Sequence, residues 1–173
     1  MIGNGYFNLL NQYIERKNGD IRRSFYFQIL ENIIKVGNLN IFKYLLELNE
    51  EKNYFYLIRS TSSNENLNDI LSWSTLYGRT EFILLLLEKY PMQQWNFKRA
   101  LCNTAFCGDM ELMKLFHYKI ENSPSSIYDV NVFNSCAAHG RISMIPWLSN
   151  NRPQDLVHSD MFMIAIIHQQ QEL

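Results

Sequence analysis

The sequence predicts an all-α fold, a solenoid of about four helical hairpins with half-repeats at both ends, on three observations. A ten-residue pattern opening with glycine occurs four times: Gly37-Asn-Leu-Asn-Ile-Phe-Lys-Tyr-Leu-Leu46, Gly78-Arg-Thr-Glu-Phe-Ile-Leu-Leu-Leu-Leu87, Gly108-Asp-Met-Glu-Leu-Met-Lys-Leu-Phe-His117 and Gly140-Arg-Ile-Ser-Met-Ile-Pro-Trp-Leu-Ser149. Apolar residues on both sides of each glycine recur at three- and four-residue steps, the period of one helix face. The glycines lie 41, 30 and 32 residues apart, a spacing typical of stacked supersecondary units.

The chain opens on half a unit. Gly5 to Ile14 fits the segment that follows each glycine, with Gln12 off-pattern. The first full unit is expected at 25–36 with 39–48, the second at 66–77 with 80–89, the third at 97–107 with 110–119 and the fourth at 130–139 with 143–149. Before each glycine, Leu30, Leu71, Leu101 and Phe133 stand seven residues back, and Ile34, Thr75, Ala105 and Ala137 three residues back. The small residues of the second set let neighbouring helices approach closely. After each glycine, apolar residues follow at the second, fourth, fifth, eighth and ninth positions. The glycine supplies the positive φ that ends the first helix. Pro146 falls in a first turn if Ser143 caps its helix, where a missing backbone N–H costs nothing. Asp160–Gln169 reads as another first helix within a partial unit, 159–173. That helix is strongly apolar, although a terminal repeat ordinarily shows a polar outer face. Either a partner covers it, or the chain is a segment of a longer array.

Composition narrows the function. The 173 residues carry a formal net charge of −1, so no broad field draws nucleic acid or anionic lipid. The basic residues Arg16, Lys17, Arg22 and Arg23 are interrupted by Asp20 and preceded by Glu15. The longest apolar runs, Phe82–Leu87 and Met161–Ile167, fall far short of the roughly 20 residues of a membrane span. No basic region followed by an apolar stretch marks a signal peptide. Three cysteines make a poor disulfide framework, and free thiols point to a reducing interior, the cytoplasm first.

The segment 37–47, Gly108-Asp-Met-Glu-Leu-Met-Lys-Leu-Phe116 and Cys136-Ala-Ala-His-Gly-Arg-Ile-Ser-Met-Ile-Pro-Trp-Leu148 resemble the second half of an ankyrin repeat. The resemblance covers nearly the whole chain. It implies paired antiparallel helices joined by projecting hairpin loops, and binding of a protein partner without catalysis. No Thr-Pro-Leu-His tetrapeptide opens a first helix, and no Gly-Ala-Asp-Val-Asn-like loop links the units. The 41-residue spacing is long for the family and implies an insertion around 49–66. The units are therefore degenerate ankyrin repeats or plain helical hairpins.

In the family the two residues before the glycine line a concave face. The resemblance maps these to Lys35 and Val36, Leu76 and Tyr77, Phe106 and Cys107, and Ala138 and His139. Residues ten to thirteen before the glycine lie near the loop tips; here they include Asn68, Trp95, Asn96, Lys98, Tyr128 and Val130. Tyr77, Phe106, Trp95 and Tyr128 would together form an aromatic patch, the residue type favoured as a binding anchor.

Other chemistry finds less support. Cys102, Cys107, His117, Cys136 and His139 are spaced C-x4-C-x9-H-x18-C-x2-H, which matches no zinc pattern. Cys102 and Cys107 point in different directions on one helix, and Cys136 stands where a small packed residue is needed. No Gly-rich phosphate loop, His-Glu-x-x-His or Gly-x-Ser-x-Gly occurs. No metal or cofactor is expected. Three readings follow: a non-catalytic, intracellular binding scaffold; a severed segment of a longer repeat protein without a role of its own; and, resting only on the cysteine and histidine count, a thiol- or metal-dependent enzyme.

Overall fold

The computed structural model describes residues 8–10, 12, 13, 16, 23–52, 63–121, 131–157 and 159–171. All regular structure among them is helical. The helices are α1 (Arg23–Val36), α2 (Leu39–Lys52), α3 (Ser63–Leu76), α4 (Thr80–Lys89), α5 (Phe97–Cys107), α6 (Met110–Glu121), α7 (Val132–Ala138), α8 (Ile145–Asn151), α9 (Pro153–Val157) and α10 (Met161–Gln171), with a 3₁₀ turn at Ile142–Met144. The described residues of the first half-unit, 8–10, 12, 13 and 16, are also helical.

Gly37, Gly78, Gly108 and Gly140 all adopt positive φ, between 62° and 83°. At three turns the residue after the glycine donates its N–H to the carbonyl four residues before the glycine: Asn38 to Ile33, Arg79 to Ser74 and Arg141 to Cys136. This is the Schellman closure. At the fourth, Gly108 N–H bonds the Thr104 carbonyl at 2.8 Å, the simpler left-handed cap. Asn38 and Asp109 then cap the following helices. Asn38 Oδ1 accepts from Ile41 N–H, and Asp109 Oδ1 accepts from Glu111 and Leu112 N–H. One short segment thus ends a helix, reverses the chain and starts the next.

The chain forms two compact units, Met1–Trp73 with Glu81–Gln93, and Ser74–Thr80 with Gln94–Leu173. In the first, α1 packs on α2. Phe27 of α1 meets Trp73 of α3 edge-on at 6.0 Å, and Phe42 of α2 meets Phe82 of α4 at 4.7 Å. First helix lies against first helix, and second against second. The core holds Leu30, Ile34, Phe42, Leu45, Leu46, Leu71 and Ile83, all buried.

In the second unit α5 pairs with α6, α5 packs on α7, and α7 on α10. Phe97 and Phe116 meet at 6.1 Å within the α5–α6 hairpin, and His117 meets Trp147 at 5.2 Å between α6 and α8. Leu101, Thr104, Ala105, Leu112, Met113, Phe116, Phe133, Cys136 and Leu148 are buried. The buried Thr104 hydroxyl donates to the Leu101 carbonyl at 2.6 Å.

Several expectations need correction. Ser143 does not cap the last second helix. It lies in the 3₁₀ turn, and the N-cap position of α8 is Met144, which makes no side-chain bond. Pro146 still falls in the first turn, where its missing N–H has no intrahelical partner. Asn68 lies inside α3 rather than at a loop tip, because α3 begins at Ser63, three residues early. With α2 running on to Lys52, longer helices absorb part of the 41-residue spacing. Residues 53–62, the rest of the expected insertion, lie outside the described residues. The short helix α9 and the Arg152 loop before it had no counterpart in the repeat pattern.

Candidate functional site

The residues just before each glycine lie at the C-terminal end of a first helix or directly after it. None of Lys35, Val36, Leu76, Tyr77, Phe106, Cys107, Ala138 and His139 is buried. Val36 is 77% exposed and Phe106 45%, while Leu30, Ile34, Leu71, Thr75, Leu101 and Ala105, a few residues earlier, are 2% exposed or less. The alternation is a direct consequence of the helical period.

Within the second unit these positions come together across successive hairpins. The Phe106 ring lies 3.7 Å from the His139 ring, centroid to centroid, at 44°. His139 Nδ1 is 2.8 Å from the Ser135 carbonyl, which fixes the imidazole against the end of α7. A Cβ at Gly78 would stand 3.4 Å from that of Cys107. Trp95 and Tyr77 are half-buried. Asn96, assigned near a loop tip, caps α5 instead: its Oδ1 accepts from Arg99 N–H at 3.0 Å. Lys98 sits in the first turn of α5, half-buried. Tyr128 and Val130 lie outside the described residues.

Two features escaped the sequence reading. Arg141, first after its glycine, reaches back one hairpin. Its Nε donates to the Ala105 carbonyl at 2.9 Å and its Nη2 to the Phe106 carbonyl at 2.8 Å. These are terminal carbonyls of α5, which have no intrahelical donor and carry the negative end of the helix dipole. The recurrence of Arg at the same place in Gly78-Arg79 was the one available signal.

The second feature is a polar cluster behind the last hairpin. Arg152, 5% exposed, pairs through Nε with Asp155 Oδ2, and its Nη1 lies 3.4 Å from His117 Nδ1. Asn131 caps α7, with Oδ1 accepting from Phe133 and Asn134 N–H, and its Nδ2 donates to the Asp155 carbonyl at 2.6 Å. Asn134 Oδ1 accepts the Asp160 N–H at the start of α10. Side chains bridging 24 to 35 residues carry no sequence periodicity.

Cys102, Cys107 and Cys136 form no disulfide among the described residues. Burial pushes the Cys102 thiol up to about 12, against a partly offsetting hydrogen bond with the Ser135 side chain. Burial likewise raises Cys136 to about 11, with the Arg141 charge pulling the other way, and raises Cys107, which bonds the Thr104 carbonyl at 3.4 Å. A protonated thiol is a poor nucleophile and a poor metal ligand. No group of three or more His, Cys, Asp or Glu side chains placed to hold a metal occurs among the described residues. No described helix is long and apolar enough to cross a membrane.

The raised thiols make alkaline stability a test of their burial. Their folded values lie above the ordinary cysteine range, so the folded state holds protons that the unfolded chain releases. Their contribution is intact below about pH 8.5 and falls as pH rises toward about 12. Denaturant midpoints should drop across that window, and Cys102→Ala should flatten the drop. An equal slope with and without Cys102 would contradict its burial.

No protein-family model matches the chain, and neither a curated protein nor a solved structure shows significant similarity to it.

Proposed function

We propose that this chain is a non-catalytic protein-interaction module inside the cell. Its ankyrin-like helical hairpins stack into a short solenoid, and it grips a protein partner along the row of residues that precede the glycines. The observation that carries this reading is the sorting of residues before each glycine: those seven and three back are buried, Ala137 excepted, and the two just before it are not, in all four copies. Core packing needs the former and does not use the latter. Phe106 and His139 supply an aromatic pair on that row, and aromatic side chains are the commonest anchors of protein interfaces. The protonated thiols favour a structural rather than a chemical role for the cysteines, and cysteines outside any disulfide suit a reducing compartment.

The test is a double variant, Tyr77→Glu with Phe106→Glu, used as bait in affinity capture from the native cell beside the wild type. Both positions are outside the core, so the melting temperature should stay within about 4 °C of wild type. The partner captured by the wild type should be lost. Its undiminished recovery would remove this row as the binding surface.

A further inference from the structure

α10 has a sequence that calls for cover on every side. Met161–Ile167 is seven apolar residues without a charge, and a helix apolar all round is normally buried all round. One side packs on α7, and Ile164 and Ala165 are half-buried. Phe162, Met163, Ile166 and Ile167 remain 75%, 62%, 51% and 49% exposed. An apolar patch of this kind marks an interaction site.

The order of those residues says what fits over them. Two exposed, two half-buried and two exposed residues follow one another, so positions 162, 163, 166 and 167 read the same from either end of the helix. A second α10 laid antiparallel therefore presents the matching pattern. Met163 and Ile166 stand three apart at the centre of the stripe, the spacing of the central positions of paired helices. Met163 of each copy then faces Ile166 of the other, with Phe162 and Ile167 flanking. Asp160, exposed, immediately precedes α10. Antiparallel pairing keeps the two Asp160 carboxylates at opposite ends of the contact and opposes the two helix dipoles.

Area agrees with this match. Side chains of this size present roughly 200 Å² each when fully exposed, so the four leave about 500 Å² on each copy. Two copies supply about 1,000 Å², the area from which a specific interface can be sustained. Homodimer interfaces are also the more apolar class, with charge depleted at the core. Other occupants fit less of the face. A cleft of about 750 Å³ adjoins it, with Ile142, Ile145, Pro146, Phe162 and Ala165 in its lining. Met163, Ile166 and Ile167 do not line that cleft, so a small apolar ligand there would leave them in water. A helix that lies on a lipid surface carries Lys or Arg along its polar side, and α10 has neither.

We propose that the chain forms a two-fold symmetric dimer through α10, the two copies of the helix lying antiparallel across Met163 and Ile166. The contact is isologous, and two-fold dimers are the commonest soluble oligomers. It uses none of the residues before the glycines, so the row proposed for a protein partner is a separate surface.

Sedimentation equilibrium of the intact chain tests it between about 1 and 300 μM, the range in which small interfaces associate. The mass should rise with concentration toward twice the 20.6 kDa of one chain. Met163→Lys and Ile166→Glu should each weaken association at least about tenfold. Both positions are exposed, so circular dichroism should show the helices intact. The variant carrying both changes should recover to within about threefold of wild type, because each lysine then faces a glutamate of the other copy. Independently of any variant, isotope-filtered NOEs in a mixture of labelled and unlabelled wild-type chain should join the Met163 and Ile166 methyl groups. A chain monomeric throughout this range, single variants that associate like wild type, a double variant as weak as the singles, or absence of those filtered NOEs would each overturn the proposal. None of these outcomes bears on Tyr77 and Phe106, whose capture experiment stands apart.

Discussion

Gly108→Ala lowers unfolding stability by about 3 kcal/mol, and Gly140→Ala by about 1 kcal/mol, although both glycines have positive φ (74° and 62°). The conformational part is common to both: an L-residue in left-handed geometry costs about 1–2 kcal/mol. The surroundings differ. At Gly140 a methyl group enters open space, while at Gly108 it meets the Arg141 guanidinium at 3.1–3.4 Å. Arg141 must give way by a few tenths of an ångström, which bends its bonds to the Ala105 and Phe106 carbonyls. Hydrogen bonds from a charged donor contribute about 1.5–3 kcal/mol each, so losing or bending them supplies the excess. Urea titration of both variants measures the difference, and equal losses would show that Arg141 does not tie successive hairpins.

The second large effect falls on the buried pair. Asp155→Ala leaves the Arg152 guanidinium at 5% exposure without its carboxylate. An uncompensated buried charge costs about 3–5 kcal/mol. Arg152→Met, which removes the charge and keeps much of the volume, should cost clearly less. The reverse order in thermal or denaturant unfolding would mean that Arg152 finds water or another partner when Asp155 goes.

The repeating parts of this structure were legible because a helix face is a local property. Leu30, Leu71, Leu101 and Phe133 share one offset from the glycine, and each is buried. The four glycines themselves marked the positive-φ turns at 37, 78, 108 and 140. Helix boundaries proved less legible where capping is done by an unexpected residue, as with Asn131, or by none, as at Met144, although the helix over 97–107 was found at the expected bounds. Arg141 and the Arg152–Asp155 pair were invisible for another reason. Their partners lie in other elements or carry no repeat signature, and only the packed hairpins bring them within reach. The outward row was legible in position, since helical period alone turns Phe106 and His139 away from the core, but its ring contact needed two hairpins in register.

Register between hairpins is also the central claim, and NOE spectroscopy on the intact chain tests it most directly. Cross-peaks are expected between the ring protons of Phe106 and His139, whose centroids are 3.7 Å apart, and between Gly78 Hα and Cys107 Hβ, given the close approach there. Both report hairpin against hairpin. Intact helical amide patterns with neither cross-peak would contradict the stacking, and with it the aligned row on which the proposed binding face depends.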